Sequence, residues 1–284
     1  MTGLIVEGGA SRTYFAIGVM DAMMEADIPV DYLGGASAGI ANAMNYATHQ
    51  IGRGLTIGMT HVPKKEYSGF RHMFNPKNRS LYNIDYVFKT VPNELVPYDY
   101  DKFETFGGIA EATVTNVETG KAEYMKIQNP RKGWDILVAS CSLPIMFPVV
   151  HINGGKYMDG GVADSVPFGR AMDVGCDKTI VILSRERGYV KGESKSEKLS
   201  SFLFRKYPNF AQTLKNRTRM YNSQRKELFA LEKEGKAFVI APKDTTDWKR
   251  TENRADKIKQ MYDEGYSTGK AMIPSIQKYI GAEK

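Results

Sequence analysis

The chain has 284 residues, of which 42% are hydrophobic and 25% are charged, and its formal net charge is +7 at pH 7. This length and apolar content are enough for one large α/β domain or two small ones with a substantial core, which excludes a globally disordered chain. The basic charge favours an anionic partner, either nucleic acid or a negatively charged membrane surface. No zinc-finger spacing, RNP-like aromatic motif or unbroken basic tract supports nucleic acid, so no nucleic-acid partner is expected.

The start of the chain predicts neither secretion nor membrane insertion. Residues 1–7 lack a basic n-region, and Glu7 ends the first apolar run early. No uninterrupted apolar stretch approaches the ~18 residues that cross a bilayer. We therefore expect a soluble, cytoplasmic protein, with peripheral contact to an anionic membrane surface as a further expectation.

The two cysteines, Cys141 and Cys176, lie in apolar surroundings without C-x-x-C spacing. They are predicted to be buried free thiols rather than metal ligands or a redox pair. No metal and no other cofactor is expected.

The first forty residues predict a β-α-β unit. Residues 4–6 form a β-branched run that leads into a glycine-rich loop at 8–12, and residues 14–24 have helical character. Residues 27–29, Asp-Ile-Pro, end this helix before a second apolar run. Because the crossover is normally right-handed and the strands parallel, the loop after each strand lies at the same edge of the sheet. A site is expected at that edge.

The turn after the second run carries the pattern G-x-S-x-G in residues 35–39. In a nucleophile elbow such a turn lifts the serine hydroxyl above the sheet, and the flanking Gly35 and Gly39 relieve crowding around it. Ser37 is therefore the candidate nucleophile. The alternative is a serine that merely closes a tight turn between two glycines.

The loop that contains Gly8, Gly9 and Ala10 is neither G-x-G-x-x-G nor a P-loop, so nucleotide binding is not expected. Beside a nucleophile, such a loop can direct backbone N–H groups at a developing oxyanion, each worth roughly 3 kcal/mol. Arg12 either steadies the loop, meets an anionic head group, or caps a turn at the surface.

Five segments are predicted in the middle of the chain. Residues 60–79 read as an irregular surface segment, either a lid or a solvated loop, and residues 81–91 return to helical spacing. Residues 108–117 and 122–127 predict a hairpin around a turn at 118–120. Residues 134–140 look helical, and an apolar stretch at 143–150 leads to Asp159-Gly160-Gly161.

A buried strand is predicted at 179–183, and the composition after it becomes charged. We divide the chain into a core at 1–184, a charged linker or flexible loop at 185–201, and a mostly helical region at 202–284 that packs on the core. This last region includes a late strand at 238–242. One of its helices carries four basic residues that predict a solvated face or, alternatively, a membrane-contacting one: Arg217, Arg219, Arg225 and Lys226.

A serine hydroxyl needs a base to remove its proton. No histidine follows Asp159, so the Ser-acid-His order of α/β-hydrolases would require His151 with an earlier acid (Asp85, Asp99 or Asp101), and no local motif supports this triad. The other candidate base is Asp159, since a carboxylate in a partly dry pocket can take the proton directly. The alternative for Asp159, Gly160 and Gly161 is an ordinary turn.

Together, the glycine-rich loop, G-x-S-x-G and the later D-G-G resemble the patatin-like phospholipase family, most closely its bacterial esterase subgroup. Residues 140–148 and 159–167 also look like the family's, and the resemblance covers about residues 4–183. It implies an α/β fold, a three-layer α/β/α sandwich with a mainly parallel sheet, to which the pattern of the later residues adds a mostly helical C-terminal extension. It also implies a catalytic dyad, with Ser37 as nucleophile and Asp159 as general base, and an oxyanion hole formed by Gly8, Gly9 and Ala10.

Two positions depart from the family pattern: Ala10 replaces the third glycine of the loop, and Thr13 replaces the glycine after the arginine. We expect the hole to survive only if the φ angle of Ala10 is negative. The resemblance implies hydrolysis of lipid acyl esters through an acyl-serine intermediate. Acyl transfer or thioester cleavage by the same dyad is one alternative, and a catalytically weak lipid-binding or regulatory protein is another.

Overall fold

The computed structural model describes residues 1–76, 79–193 and 195–282. Its strands are β1 Thr2–Val6, β2 Tyr32–Ala36, β3 Ile109–Asn116, β4 Ala122–Lys126, β5 Val150–Ile152, β6 Gly155–Asp159, β7 Lys178–Ile182 and β8 Phe238–Ile240. Its α-helices are α1 Tyr14–Glu25, α2 Ala38–Ala47, α3 Arg53–Thr60, α4 Tyr100–Glu104, α5 Asp135–Cys141, α6 Phe168–Asp173, α7 Lys195–Leu203, α8 Pro208–Lys233 and α9 Ala255–Ile280.

The sheet is built on parallel strands in the order β3-β2-β1-β7-β8. The chain moves outward from β1 to β3 on one side and then from β7 to β8 on the other. In such sheets ligands bind beyond the carboxyl ends of the strands where the direction of winding switches. The ends of β1, β2 and β7 therefore mark the expected site, and the predicted parallel β-α-β unit is confirmed.

A second feature of the sheet brings Ser37 and Asp159 together. β4 pairs antiparallel along one edge of β3. On the opposite edge, Thr113 pairs with Ala36 of β2, and the next residue, Val114, pairs with Asp159 of β6. β2 and β6 therefore meet end to end, so the residue after Ala36 lies beside Asp159.

Helices cover both faces of the sheet because alternate strand residues point in opposite directions. Leu4 and Val6 pack in one core with residues of α1, α2 and α9, whereas Ile5 packs with α6 and α8. This arrangement confirms the predicted three-layer α/β/α sandwich. α8 and α9 are 26 residues long, but no helix in the described ranges is apolar enough to cross a bilayer.

Two helices in the middle of the chain differ from the predictions. α3 lies where none was predicted, because Gly54 and Gly58 weaken its helical signal while allowing close packing against Ile17 and Tyr14 of α1. The helix predicted at 81–91 instead spans Tyr86–Leu95 as a π-helical segment with a proline inside it. The segment 60–79 is irregular apart from a short 3₁₀ turn at Phe70–Phe74. Its role as a lid stays a prediction, and part of it, residues 77–78, lies outside the described residues.

The segment 185–201 differs from the predicted linker in its second half. α7 begins at Lys195, and Glu197 accepts a hydrogen bond from the Thr218 hydroxyl of α8 at 2.9 Å and pairs with Lys191 at 2.7 Å. Its charged sequence thus includes buried ion pairs, which composition alone does not reveal. The late strand is β8, which joins the sheet beside β7. The division of the chain at 184 and 202 stays a prediction.

Candidate active site

Ser37 occupies a strained turn between β2 and α2. Its φ and ψ angles are 55° and −137°, a conformation that residues other than glycine rarely adopt. Its backbone N–H donates to Oγ of Ser140 at 2.9 Å, and that hydroxyl donates to the carbonyl oxygen of Thr113 at 2.7 Å. The Ser140 side chain, on α5, thus ties the strained turn to β3. Sequence reasoning placed Ser140 only within a family-like stretch and gave it no role.

Close approach of α2 to β1 explains both glycines of G-x-S-x-G. A Cβ atom on Gly35 would lie 2.5 Å from the carbonyl oxygen of Val6, and one on Gly39 would lie 2.3 Å from the same oxygen. Any larger residue at either position would push the helix away from the strand. The two glycines therefore fix the position of Ser37 above the ends of β1 and β2.

The loop after β1 presents free backbone donors beside Ser37. A Cβ atom on Gly8 would lie 3.1 Å from Cβ of Ser37, which shows how closely the loop approaches the serine. Within the described residues, the N–H groups of Gly8, Gly9 and Ala10 have no hydrogen-bond partner. Three donors are therefore available to an oxygen at this end of the sheet.

The φ angle of Ala10 is 49°, so the condition set for the oxyanion hole, a negative φ at this residue, is not met. This left-handed conformation is the one that glycine adopts without a steric penalty, and it costs an alanine roughly 1–2 kcal/mol. The Thr13 hydroxyl donates to the carbonyl oxygen of Ala10 at 2.7 Å and accepts from Asn42 Nδ2 of α2 at 2.9 Å. The two departures from the family pattern thus contact each other through a hydrogen bond. The N–H of Ala10 has no partner among the described residues, and its part in an oxyanion hole stays a prediction.

Asp159 is a buried carboxylate with one oxygen free, and only 1% of the residue is exposed. Its Oδ1 accepts a hydrogen bond from the N–H of Gly161 at 2.8 Å, whereas Oδ2 has no partner among the described residues. Burial raises the pKa of Asp159, and this rise is opposed by the positive charges of Arg217 and Arg250 and by the nearby Ser37 hydroxyl. The result is a fixed carboxylate with a raised pKa and a free oxygen close to the serine, which suits acceptance of a proton.

The glycines after Asp159 allow this placement. A Cβ atom on Gly160 would lie only 2.1 Å from the carbonyl oxygen of Thr113, so β6 could not approach β3 here with any other residue. The carbonyl oxygen of Gly161 accepts a hydrogen bond from Arg217 Nε at 2.7 Å. The motif therefore positions the carboxylate and also holds a cation beside it.

An apolar cavity of about 470 Å³ opens at Ser37. Its volume lies within the range of small-molecule sites, about 300–1,000 Å³. Aromatic and aliphatic side chains supply much of its wall. They come from α3, the irregular segment, the π-helical segment, α5 and the connections before the π-helical segment and after α5: Ile57, Val62, Tyr67, Phe70, Tyr82, Val87, Phe88, Val91, Leu137, Leu143 and Phe147. A hydrocarbon chain fits such a lining.

A second space, of about 90 Å³, lies on the other side of Ser37 and is named here the cationic chamber. Ser37 and Asp159 line it together with Gly8, Gly9 and Glu7. Five cationic side chains also line it: Arg12, Arg185, Lys191, Arg217 and Arg250. Sequence reasoning singled out Arg12 as a site residue but missed the other four, because they come from separate segments and belong to no motif.

The basic face predicted on α8 is only half solvated. Arg219 and Lys226 are exposed, in agreement with the prediction. Arg217 reaches Gly161, and Arg225 is buried and donates to the carbonyl oxygen of Glu186 at 2.6 Å. The prediction was wrong for these two arginines because helical spacing alone does not show which face of a helix meets the sheet.

The structure does not support the histidine-based triad or a cysteine nucleophile. His49, His61, His72 and His151 line neither of the two spaces that meet at Ser37. Cys176 is buried as predicted, but Cys141 is only partly buried and lines the apolar cavity. Burial and the charge of Asp159 raise the pKa of the Cys141 thiol, which keeps it in its unreactive protonated form. Within the described ranges, no cluster of three or more His, Cys, Asp or Glu residues could hold a metal ion.

Comparison with known proteins gives two family matches along the chain. A family model described as patatin-like phospholipase matches residues 4–172, and one described as a domain of unknown function (DUF6363) matches residues 207–281. The uncharacterized protein YjjU of Escherichia coli (strain K12) is 26% identical over 194 residues, which cover 63% of this chain and 50% of YjjU. The lysophospholipase nte1 of Aspergillus terreus is 25% identical over 185 residues, which cover 62% of this chain and 11% of that protein.

Among solved structures, VipD from Legionella pneumophila aligns with 96% of this chain and 67% of that chain, with a TM-score of 0.45 and 11% sequence identity. The chain spans half or less of the length of the two curated relatives named above, which are longer proteins.

Proposed function

The chain belongs to the patatin-like phospholipase family, and from this premise we propose that it is a serine esterase that hydrolyses lipid acyl esters. The observation that carries the proposal is the pairing of a strained, glycine-flanked Ser37 with a buried Asp159 that has one unpartnered oxygen. The apolar cavity that opens at Ser37 supports an acyl chain as the group it binds. The lysophospholipase nte1 is a relative whose name agrees with this substrate class.

In the acylation step, Oδ2 of Asp159 accepts the proton of the Ser37 hydroxyl as its oxygen attacks the ester carbonyl. The carbonyl oxygen becomes an oxyanion, and the free N–H groups of Gly8, Gly9 and Ala10 donate to it. The C–O bond to the alcohol then breaks, and Asp159 returns the proton to the leaving oxygen. This leaves the acyl group on Ser37 in the apolar cavity.

In the deacylation step, a water molecule replaces the alcohol. Asp159 removes a proton from this water, and the resulting hydroxide attacks the acyl carbonyl. Collapse of the second oxyanion releases the fatty acid and returns the proton to Ser37. Because another alcohol or a thiol can compete with water at this step, acyl transfer is the alternative outcome, and product analysis with added acceptor alcohols distinguishes it from hydrolysis.

The proposal is tested by fluorophosphonate labelling and by hydrolysis of p-nitrophenyl esters. We expect the wild type to be labelled and active, Ser37→Ala to lose both properties, and Asp159→Asn to lose turnover by a factor of about 100 or more. Asp164→Asn is a matched control. Asp164 is also buried with a raised pKa, but its oxygens accept from Tyr124 at 2.8 Å and Gln224 at 2.6 Å, and it lines neither space.

A folded wild type that is neither labelled nor active would overturn the esterase proposal. Liposome binding that survives in Ser37→Ala would then favour the lipid-binding alternative. Equal losses of activity in Asp159→Asn and Asp164→Asn would show that the loss reflects buried structure rather than a general base.

A further inference from the structure

The cationic chamber carries more positive charge than its acidic groups balance. Two of its lining residues are acidic, Asp159 and Glu7. Both carboxylate oxygens of Glu7 are already engaged, one by the N–H of Ser184 at 2.7 Å and the other by the Tyr221 hydroxyl at 2.6 Å. Outside the lining, Glu197 pairs with Lys191 at 2.7 Å and lies 3.8 Å from Arg217. The five cationic side chains still outnumber these three carboxylates, so the chamber keeps an excess of positive charge.

Buried donors in the chamber lack acceptors. Nε of Arg12 and Nε of Arg250 are buried, and neither has a hydrogen-bond partner among the described residues. The guanidinium group of Arg185 donates to the carbonyl and hydroxyl oxygens of Thr245, at 3.2 and 2.7 Å, and both acceptors are neutral. Buried unpaired donors are rare in folded proteins, and a bound ion is one of the explanations for those that occur. An anion in the chamber would supply the missing acceptors.

The cations also lie close enough to repel one another. Burial, together with the charges of Arg217 and Arg12, lowers the pKa of Arg250 to about 10 against the opposing charge of Asp159. Burial likewise lowers the pKa of Lys191 to about 8, with Arg217 and Arg250 acting in the same direction and Glu197 opposing them. An anion between these groups would relieve the repulsion.

The position of the chamber identifies the part of a substrate that enters it. Ser37 lines both the chamber and the apolar cavity. An ester held at Ser37 with its acyl chain in the cavity therefore directs its alcohol portion into the chamber. With a volume of about 90 Å³, the chamber can hold a small group such as a phosphate. A choline or ethanolamine cation would meet the arginines as a like charge.

We infer that the cationic chamber binds a phosphate dianion, and that it selects lipid esters whose head group ends in an unsubstituted phosphate. Arginine suits this ligand because its planar fork of donors matches phosphate oxygens. Arg217 and Arg250 lie outside the residues that the patatin-like family model matches, so this selectivity belongs to the C-terminal part of this chain. The selectivity rests on the proposed esterase function, whereas phosphate binding does not.

The first arm of the test measures binding without catalysis. Ser37→Ala protein is titrated with inorganic phosphate by calorimetry, alone and combined with Arg250→Gln, Lys191→Gln or the exposed control Arg219→Gln. We expect one saturable site that each chamber substitution weakens by about tenfold or more and that the control leaves unchanged. Absence of binding, or binding that the chamber substitutions do not weaken, would overturn the site. This arm gives its answer even if the protein is not an esterase.

The second arm measures kcat/KM for three lipids with the same acyl chain: lysophosphatidic acid, monoacylglycerol and lysophosphatidylcholine. We expect the wild type to prefer lysophosphatidic acid over both others by about tenfold or more, and Arg250→Gln to remove most of this preference. Because Arg250 also acts on Asp159, the readout is the ratio between substrates, in which a common effect on the base cancels. Phosphate binding without this preference would overturn the head-group assignment and leave free phosphate as the ligand.

Discussion

At the scale of single residues, Asp159 and Asp164 are both buried but differ in their hydrogen-bond partners. Burial raises the pKa of both Asp159 and Asp164. Asp164 has side-chain donors on both of its oxygens, whereas Asp159 keeps Oδ2 free. The D-G-G motif allowed Asp159 to be predicted from the sequence. The charges that adjust its pKa could not be predicted, because Arg217 and Arg250 are distant in the chain.

Removing the charge of Arg250 is predicted to shift the acidic limb of the pH–rate profile. Asp159 must be ionised to accept the Ser37 proton, and the Arg250 charge favours the ionised form. In Arg250→Gln the pKa of Asp159 therefore rises further, and the acidic limb of kcat/KM for a neutral short-chain ester moves to higher pH. Arg219→Gln is the control and should leave the limb in place. A limb that stays in place or moves to lower pH in Arg250→Gln would contradict Asp159 as the base.

Asp159→Asn is predicted to unfold at an equal or higher temperature than the wild type at neutral pH. The folded-state pKa of Asp159 lies above its ordinary value of 3.8, so ionisation of this carboxyl destabilises the folded protein as the pH rises from 3.8 through the folded-state pKa. The neutral amide avoids that cost. Thermal denaturation at neutral pH and near pH 4 should show the difference shrinking at the acidic value. A clear loss of stability at neutral pH would show that the carboxylate is structural.

At the scale of elements, the local sequence pattern was sufficient to predict regular helices and strands. It failed to predict elements whose structure depends on packing. The hairpin of β3 and β4 and the first β-α-β unit were correctly predicted from alternation and spacing. The glycines of α3 obscured its signal, and Pro92 lies within the π-helical segment. Residues of α3 and of the π-helical segment line the apolar cavity, so parts of the fold that were hard to predict contribute to the proposed acyl site.

The irregular segment also exposes apolar side chains beside basic ones. Phe70 and Phe74 are 77% and 85% exposed, and the same segment carries the exposed Lys64, Lys65 and Arg71. Phe70 also lines the apolar cavity, which joins this surface to the proposed acyl site. Aromatic side chains flanked by cations suit an anionic lipid surface. We therefore propose that this segment contacts the membrane from which the lipid is drawn.

Phe74→Ser is predicted to weaken binding to anionic vesicles by about tenfold, since burial of one phenylalanine is worth about 1.5–3 kcal/mol. Turnover of vesicle-bound lipid should fall in parallel, whereas hydrolysis of a soluble short-chain ester should not change. Phe202→Ser is a matched control, because Phe202 is 62% exposed on α7 and lines neither space. Co-sedimentation with vesicles measures the effect. Equal effects of the two substitutions would contradict a specific role for the segment.

At the scale of the whole molecule, the first and last helices hold the two ends of the chain together. A Cβ atom on Gly265 of α9 would lie 1.9 Å from the carbonyl oxygen of Phe15, and one on Gly18 of α1 would lie 2.2 Å from that of Tyr262. The Tyr262 hydroxyl also donates to Asp21 at 2.8 Å. Together with β8 in the sheet, this packing makes the C-terminal region part of the same core.

Gly265→Ala is predicted to lower the free energy of unfolding by about 1–3 kcal/mol, because the added methyl group forces α9 away from α1. Urea denaturation measures this change. The control is Gly169→Ala in α6, where a Cβ atom would meet nothing within 4 Å, so its stability should stay the same or rise slightly. If the two variants were equally stable, the helices would not be packed as closely as the structure indicates.

Sequence motifs led to the proposed reacting residues of the site but not to most of the cations that surround them. The family-like pattern ends near residue 183 and allowed Ser37, Asp159 and the loop at 8–10 to be predicted. Arg217 and Arg250 complete the cationic chamber from the C-terminal region, where no motif points to them. Only the fold, which packs this region over the carboxyl ends of the strands, brings them to Ser37.

Trapping of the acyl intermediate tests the central claim most directly. The wild type is mixed with a slowly deacylating p-nitrophenyl ester, quenched in acid, and analysed by intact mass and peptide mapping. The account predicts one acyl adduct, located on Ser37, that forms far more slowly in Asp159→Asn. An adduct on Cys141, or product release with no adduct on Ser37 even at the earliest times, would contradict it.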